Sequence, residues 1–545
     1  MTQLVKVPVP DVKQPAPKRR RRAMPTVVEL GEILPARFGP LWRLIQRIRP
    51  LERAVNRLLI NLAAGLLPPR PYRLSTKGDF TTQDTLTDKT FNCRQLPPTD
   101  SCEPRTTPDL GAVVELFERK QFIPCEKSTV LFAYVAQWFT DGFLRSDRSA
   151  TGEERDIRRN ESTHEIDLAQ LYGLNACDTD MLRDVEQSML LAYQGEPGEE
   201  LPPDLYDANG ERVAQFAGLR MIGTSSSPKY KDVDKSQLLA MGSDASNTQI
   251  GYAMLNTLFL REHNRIAREI AEENPSWSDD RIFGAARSVL TVLLIRVVID
   301  EYINHIQPFH FQFRLDPRGF DKQPWMRPNW IAVEFNLLYR WHSLIPDRLE
   351  IGTQALELDK TTFRTKELLS THGLAGLVDS ASRQRAGKIT LHNTPEFLKR
   401  AESASIQAGR TVRLRGYNEY REACKFRPAQ TFEDISSDAQ TAGALRDVYD
   451  DVDEVEFYVG LFAEDIPSNS VLPPLMGRLV GLHAFSQLMT NPLFSPGLYN
   501  AETFSQRGMQ IIDERPTLAE IVRRNIPDGS RPPLVALTRE GWRRQ

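Results

Sequence analysis

The sequence predicts a mainly α-helical protein. Three observations carry this. Apolar residues recur at helical spacing in nearly every long segment beyond residue 125. Prolines and short polar or acidic residues bracket those segments. Residues 70 to 125, rich in Thr, Asp and Pro, are the one long region with weak periodicity, and they predict loops and a few short strands.

Taken in chain order, the elements are these. Residues 1–33 are Pro-rich and carry the basic block Lys18 to Arg22. They predict a disordered arm, either a solvated tail or a contact for anionic lipid. Residues 34–72 include "ARFGPLWRLIQRIRPLERAVNRLLINLAAGLLPPRP". Phe38, Leu41, Leu44, Ile45 and Ile48 recur at helical spacing, as do Val55, Leu58, Leu59 and Leu62 after Pro50. Arg43, Arg47, Arg49, Arg53 and Arg57 accompany them. Two basic amphipathic helices broken at a proline follow, able to lie in a membrane interface or to pack on the main domain.

Residues 73–545 form the remaining domain. "STVLFAYVAQWFTDGFLRS" reads as a buried helix, apolar on nearly every face. "SNTQIGYAMLNTLFLREHNRIAREIAEE" is a long helix entered near Ser246 and Asn247. "DDRIFGAARSVLTVLLIRVVIDEYINHIQP" is another, with Asp279 and Asp280 at its start and Pro308 stopping it. "PNWIAVEFNLLYRWHSLIP" is a third, bounded by Pro328 and Pro346. "TPEFLKRAESASIQAGR", "TAGALRDVYDDVDEVEFYVGLFAED" and "PPLMGRLVGLHAFSQLMTNP" complete the set.

Composition bounds the rest. The 545 residues are 40% hydrophobic and 26% charged, with a net charge of −3, so no global field marks a nucleic-acid binder. Five scattered cysteines contain no CxxC pair, which predicts neither a disulfide framework nor a zinc site and fits a reducing compartment. No run of about 18 apolar residues predicts a transmembrane helix, and the N-terminus lacks the apolar core of a signal peptide.

The residue pair that points to chemistry is Tyr339 and His342, three apart in an apolar helix and so on one helical face. A neutral imidazole there can ligate a metal or haem iron, or be a core histidine bonded to a neighbour.

Longer motifs decide between these. "EFNLLYRWHSLIPD" resembles the cyclooxygenase segment Glu-Phe-Asn-x-Leu-Tyr-x-Trp-His. "LFLREHNRIAREIAEENPSWSDDRIFGAARSVL" and "THEIDLAQLYG" resemble segments of the wider animal haem peroxidase family. "YNEYR" and "NPLFSPGLYNAETFSQRGMQII" have cyclooxygenase counterparts. The similarity runs in order from about residue 50 to 530. The resemblance implies an animal haem peroxidase-like helical domain with haem b between helices. It implies His342 as proximal iron ligand and Tyr458 as a proximal-side residue helping to hold it. It makes Tyr339 the radical that abstracts hydrogen from a polyunsaturated fatty acid before O₂ adds, Tyr302 its hydrogen-bond partner, and Gln137 the distal glutamine. It places residues 36 to 67 where cyclooxygenases bind membranes, so peripheral membrane contact is expected, on the cytoplasmic side. Cyclooxygenases are dimers, so a homodimer is a further expectation.

The departures matter too. The family's distal histidine falls at Asp141, a weaker base at about pKa 3.9 against about 6.5. Weak or altered peroxidase turnover follows, with Asp141 either a slower proton shuttle or the mark of a degraded site. The arginine that pairs with the substrate carboxylate falls at Ala63, its tyrosine partner at Phe309, the nearby glutamate at Arg478, and the serine that aspirin acetylates at Ala484. With Trp341, the residues Phe309, Arg478 and Ala484 are the candidate substrate contacts. Arg478 is either a carboxylate partner from another wall or a surface arginine. Thr163 and Asp167 match a calcium segment, but Ala169 lacks its serine oxygen, and no calcium is expected. The expected function is a haem-dependent fatty-acid dioxygenase. The alternatives are a haem peroxidase with altered peroxide cleavage and a non-catalytic haem-binding protein.

Overall fold

Helix α3 (Val130–Thr140) shows how the segments become elements. Thr129 accepts the Phe132 N–H at its start, and every side chain but that of Gln137 is buried. In the computed structural model the described residues are 37–545 apart from 66–74, 79–81, 100–105, 147–155, 225–229, 318, 321–322, 324, 327–329 and 353. The expected basic arm lies outside them, as do residues 34–36 and 66–72 of the amphipathic segment.

Ahead of α3 stand α1 (Gly39–Arg47) and α2 (Arg49–Ala64), separated at the extended Ile48 just before Pro50. After it come α4 (Ile250–Glu273) and α5 (Asp279–Val297). A short 3-10 turn, Ser246–Thr248, leads into α4, which is capped by Gln249. Ser278, one residue before the acidic pair, caps α5. Beyond α5 the chain widens into a π-helical turn, Val298–Ile303, then closes with Asn304–Ile306 before Pro308. Such turns gather at functional sites, and this one carries Tyr302. The later helices are α6 (Val333–Leu338), α7 (Thr365–Arg383), α8 (Lys399–Thr411), α9 (Phe457–Ala463), α10 (Pro474–Met489) and α11 (Ala501–Glu514).

Helix α4 is the central post, packed against α3, α5, α7 and α11. Its approach to α3 is so close that a Cβ at Gly251 would lie 2.1 Å from the Tyr134 ring, which explains the glycine. Strands are few: β1 (Pro124–Thr129) pairs antiparallel with β4 (Arg385–Gly387), and β2 (Arg348–Ile351) with β3 (Gln354–Glu357). The region before residue 125 holds short helices and isolated bridges such as Ser75 with Cys93. Of the described cysteines, Cys93, Cys125 and Cys424 are buried and Cys177 is exposed.

Three expectations are corrected. The stretch Asp279–Ile306 is apolar and long enough to cross a membrane by composition, contrary to the reading of the sequence. In this fold 83% of its apolar window is buried, so it is a core helix. The expected helix through residue 346 ends at Leu338. The chain unwinds through Tyr339 and Trp341, and His342–Leu344 forms only a 3-10 turn ahead of Pro346. Tyr339 and His342 therefore do not share a helical face. The Arg340 carbonyl instead accepts the Tyr458 hydroxyl at 3.2 Å, a tertiary bond replacing a helical one. The single helix expected over 441–465 is likewise broken between Tyr449 and Glu456. Within the acidic run there, Asp451 accepts the Asp453 N–H, a local bond that competes with helix.

Candidate functional site

The break after α6 opens onto a cavity of about 560 Å³. One wall is α3, through Ala133, Tyr134, Ala136, Gln137, Thr140 and Asp141. The opposite wall is the unwound segment, through Tyr339, Arg340, Trp341, His342 and Leu344. The small side chains Ala133 and Ala136 on α3 follow the apolar helical pattern, and they leave space between the walls where bulkier residues would fill it.

On the segment side, the His342 Nδ1 lies 3.0 Å from Oε1 of Glu402. The approach is off the axis of a linear hydrogen bond. With Nδ1 turned to the carboxylate, Nε2 is the nitrogen left for a ligand in the cavity. Glu402 is fully buried on α8. Its Oε1 accepts the Thr394 hydroxyl at 2.7 Å and its Oε2 accepts the Tyr458 hydroxyl at 2.6 Å. Burial and the neighbouring Glu402 charge push the Tyr458 phenol well above its usual range, so it stays a donor. Tyr458 thus reaches His342 through Glu402 and not directly. Sequence reasoning missed Glu402. The signal was there: in "AESASI" the glutamate shares the buried stripe of α8 with Ser405 and Ile406.

Tyr339 is the corner between this cavity and the core. Its ring packs against Trp341 at 4.8 Å and edge-on to Phe335 at 5.5 Å. Trp341 stacks on Phe132 at 6.0 Å, and Phe132 stacks on Tyr302 at 5.2 Å. Burial raises the pKa of both phenols; Tyr339 pushes that of Tyr302 further up, while Tyr302 offsets part of the rise at Tyr339. They remain neutral phenols that can lose a hydrogen atom but hold their proton against bulk base. The Tyr302 hydroxyl has no well-formed hydrogen bond of its own.

On the α3 side, Gln137 points to solvent-accessible space and accepts a hydrogen bond from Gln249 at 2.9 Å. Asp141 closes the wall. Its Oδ2 accepts from Arg145 at 2.8 Å, from Tyr252 at 2.7 Å and from the Ser243 hydroxyl at 3.0 Å. The Arg145 side chain is fully buried and also donates to Asp244 at 2.8 Å. Burial works against its charge, but Asp141 and Asp244 outweigh that and raise its pKa above the usual value. A carboxylate oxygen gripped by three donors, one of them a guanidinium, is stabilised as the anion. The geometry gives Asp141 an anchoring role.

The other expected substrate residues do not line this cavity. Ala484 is buried on α10, and Arg478 on the same helix lies over the Phe426 ring. Around them runs an apolar wall. His483 stacks on Phe335 beneath Tyr339, and Trp341 donates to the Met476 sulfur at 3.2 Å. Phe485 meets Phe313, which meets Phe311 and Phe309, and Phe311 meets Trp42 of α1. The wall connects Tyr339 to the amphipathic helices.

The cavity suits a flat prosthetic group. Its volume is that of a ligand pocket, an imidazole lines it, and the buried Tyr134 hydroxyl in its lining has no hydrogen-bond partner among the described residues.

A model of the animal haem peroxidase family matches residues 80–535. Prostaglandin G/H synthase 1 of Rattus norvegicus is 30% identical over 467 residues, 83% of this chain and 74% of that protein. Prostaglandin G/H synthase 2 of Bos taurus is 28% identical over 488 residues, 87% and 77%. The fold is similar to that of the fatty acid alpha-dioxygenase of Oryza sativa, with a TM-score of 0.67 at 19% identity, covering 92% of this chain and 94% of that one. It is also similar to peroxidase A of Dictyostelium discoideum, with a TM-score of 0.65 at 19% identity, covering 86% and 100%.

Proposed function

The chain belongs to the animal haem peroxidase family, and from that premise we propose that it is a fatty-acid dioxygenase acting on a polyunsaturated chain. It is an oxidoreductase whose cofactor is haem. The carrying observation is the position of Tyr339, which borders the His342 cavity on one side and the apolar wall on the other.

His342 would hold the iron, and Ala133, Ala136 and Leu344 would leave room for the macrocycle. When bound and oxidised by a peroxide, such as the hydroperoxide product, haem would supply a one-electron oxidant for a nearby phenol. Tyr339 loses one electron and its phenolic proton, leaving a phenoxyl radical. The radical takes a hydrogen atom from the activated CH₂ between two double bonds and becomes a phenol again. O₂ adds to the carbon radical, and the resulting peroxyl takes the hydrogen atom back from Tyr339. The sum is fatty acid plus O₂ to hydroperoxide, with the tyrosyl radical regenerated. Trp341, Phe335 and Tyr302 hold the phenol in place. The aromatic wall from Phe309 to Phe485 supplies an apolar bed for the acyl chain. Retention of Tyr339, Trp341 and Tyr302 beside His342 favours this reading over a bare haem binder.

The test is oxygen uptake and product mass spectrometry on hemin-loaded protein with linoleate, arachidonate and palmitate. Uptake with a polyunsaturated acid, abolished in Tyr339→Phe, is expected. Robust uptake that survives the substitution overturns the radical role.

Membrane attachment is part of the same proposal. On α1 and α2 and their flanks Phe38, Leu41, Leu44, Ile48, Leu51, Leu58 and Leu62 are all exposed. They account for most of the exposed large apolar side chains among the described residues, and arginines interleave them. That pattern lies flat in a lipid interface. The exposed thiol of Cys177 suits the cytoplasmic side. Leu44→Glu with Leu58→Glu should release the protein from anionic vesicles in flotation; unchanged flotation would refute the attachment.

A further inference from the structure

We infer that Glu402 is the positioning residue of the proximal side: its carboxylate fixes the tautomer and orientation of the His342 imidazole and makes it a more strongly donating ligand. The inference rests on the haem reading above and goes beyond it by assigning what tunes the iron.

A buried carboxylate costs several kcal/mol of desolvation, and a well-packed apolar residue in its place is often neutral or better for stability. A purely structural reason for Glu402 is therefore weak. The rest of that α8 face is built small, with Ala401, Ala404, Ser405 and Ala408 lining a second cavity of about 140 Å³ behind His342. One carboxylate in this small, apolar surround is aimed at the ligand imidazole. Its partners are two hydroxyls and the ring, where the other carboxylate of the site, the partly buried Asp141, faces a guanidinium. Thr394 and Tyr458 each bind a different oxygen, which fixes the plane of the carboxylate. Tyr458 also reaches the Arg340 carbonyl, so one hydroxyl ties Glu402 to the break that presents His342.

An anionic acceptor on the outer nitrogen of a ligating histidine raises the basicity of the inner one. Added electron density at the ligand favours the ferric over the ferrous state. The donation stands on the proximal side of a site whose distal wall offers amides and an anchored aspartate.

The test uses the full chain loaded with hemin. Ferric/ferrous midpoint potentials and the ferrous iron–histidine stretch are measured for native protein, Glu402→Gln and Tyr458→Phe. Glu402→Gln should move the equilibrium toward ferrous by about tenfold, a rise of about 59 mV, and lower the stretching frequency. Tyr458→Phe should move both readouts the opposite way, because Glu402 then keeps more of its charge for His342. A merely structural role would not give opposite signs. Unchanged potential and stretch in Glu402→Gln with His342 still ligating would overturn the inference. So would shifts of the same sign in both variants. If Glu402→Gln fails to load, an unchanged or raised potential in Tyr458→Phe overturns it alone. Native protein that takes up no hemin, or hemin held without His342, would instead bring down the haem reading itself.

Discussion

The two walls of the cavity handle buried charge in opposite ways. On the α3 wall Asp141 is locked to Arg145, Ser243 and Tyr252, and its charge is balanced by a guanidinium. On the opposite wall Glu402 is held by two hydroxyls and faces the imidazole. A carboxylate bound to arginine stabilises a wall and gives little to a reaction. A carboxylate bound to a ligand histidine passes its charge to whatever that histidine holds. The same residue class thus builds a frame on one side and tunes a ligand on the other.

The largest break in this comparison is His342→Ala. Loss of the only imidazole among the described residues of the cavity lining should abolish the Soret band of hemin-loaded protein; a band of native shape and intensity would mean the iron sits elsewhere. Next is Asp141→Ala, which leaves Arg145 buried beside Asp244 with one partner gone. Removing one member of a buried pair typically costs about 3–5 kcal/mol, read as a lower midpoint in urea unfolding. Asp141→His should share that loss and show no gain in guaiacol oxidation, because the new ring cannot replace the anion under Arg145. A clear gain would restore the idea that Asp141 is only a missing base. Smaller is the stability effect of Glu402→Gln, which keeps the shape and one acceptor for the two hydroxyls; about 1–3 kcal/mol is expected. A loss as large as that of Asp141→Ala would erase the contrast between frame and tuner. Smallest is Gln137→Ala, which removes the exposed acceptor of one amide bond from Gln249 and leaves Gln249 to cap α4. About 1 kcal/mol or less is expected, and a larger loss would make the amide pair part of the frame.

How far the sequence could be read depends on the distance between partners. The helices α3, α4 and α5 were legible because their apolar spacing and caps are local. Tyr339, Trp341 and His342 were legible because one short motif holds all three. The break between them was not, since Arg340 gives its carbonyl to Tyr458, 118 residues on. Glu402 lies 60 positions beyond His342, in a segment that reads as an ordinary amphipathic helix. Asp141 was visible as a substitution, but its three donors come from Arg145 nearby and from Ser243 and Tyr252, 102 and 111 residues away.

The sequence by itself determined a mainly helical chain of this family, the imidazole and phenol proposed to carry the chemistry, and the amphipathic pair near the start. Only the tertiary structure decided that imidazole and phenol sit on either side of an unwound turn, that Asp141 is an anchor, and that Glu402 stands behind His342. The reason is physical. Periodicity and capping act over a few residues and are written in local order. Hydrogen bonds and ion pairs among buried groups form only where packing brings distant segments within about 3 Å, and no local pattern encodes that meeting.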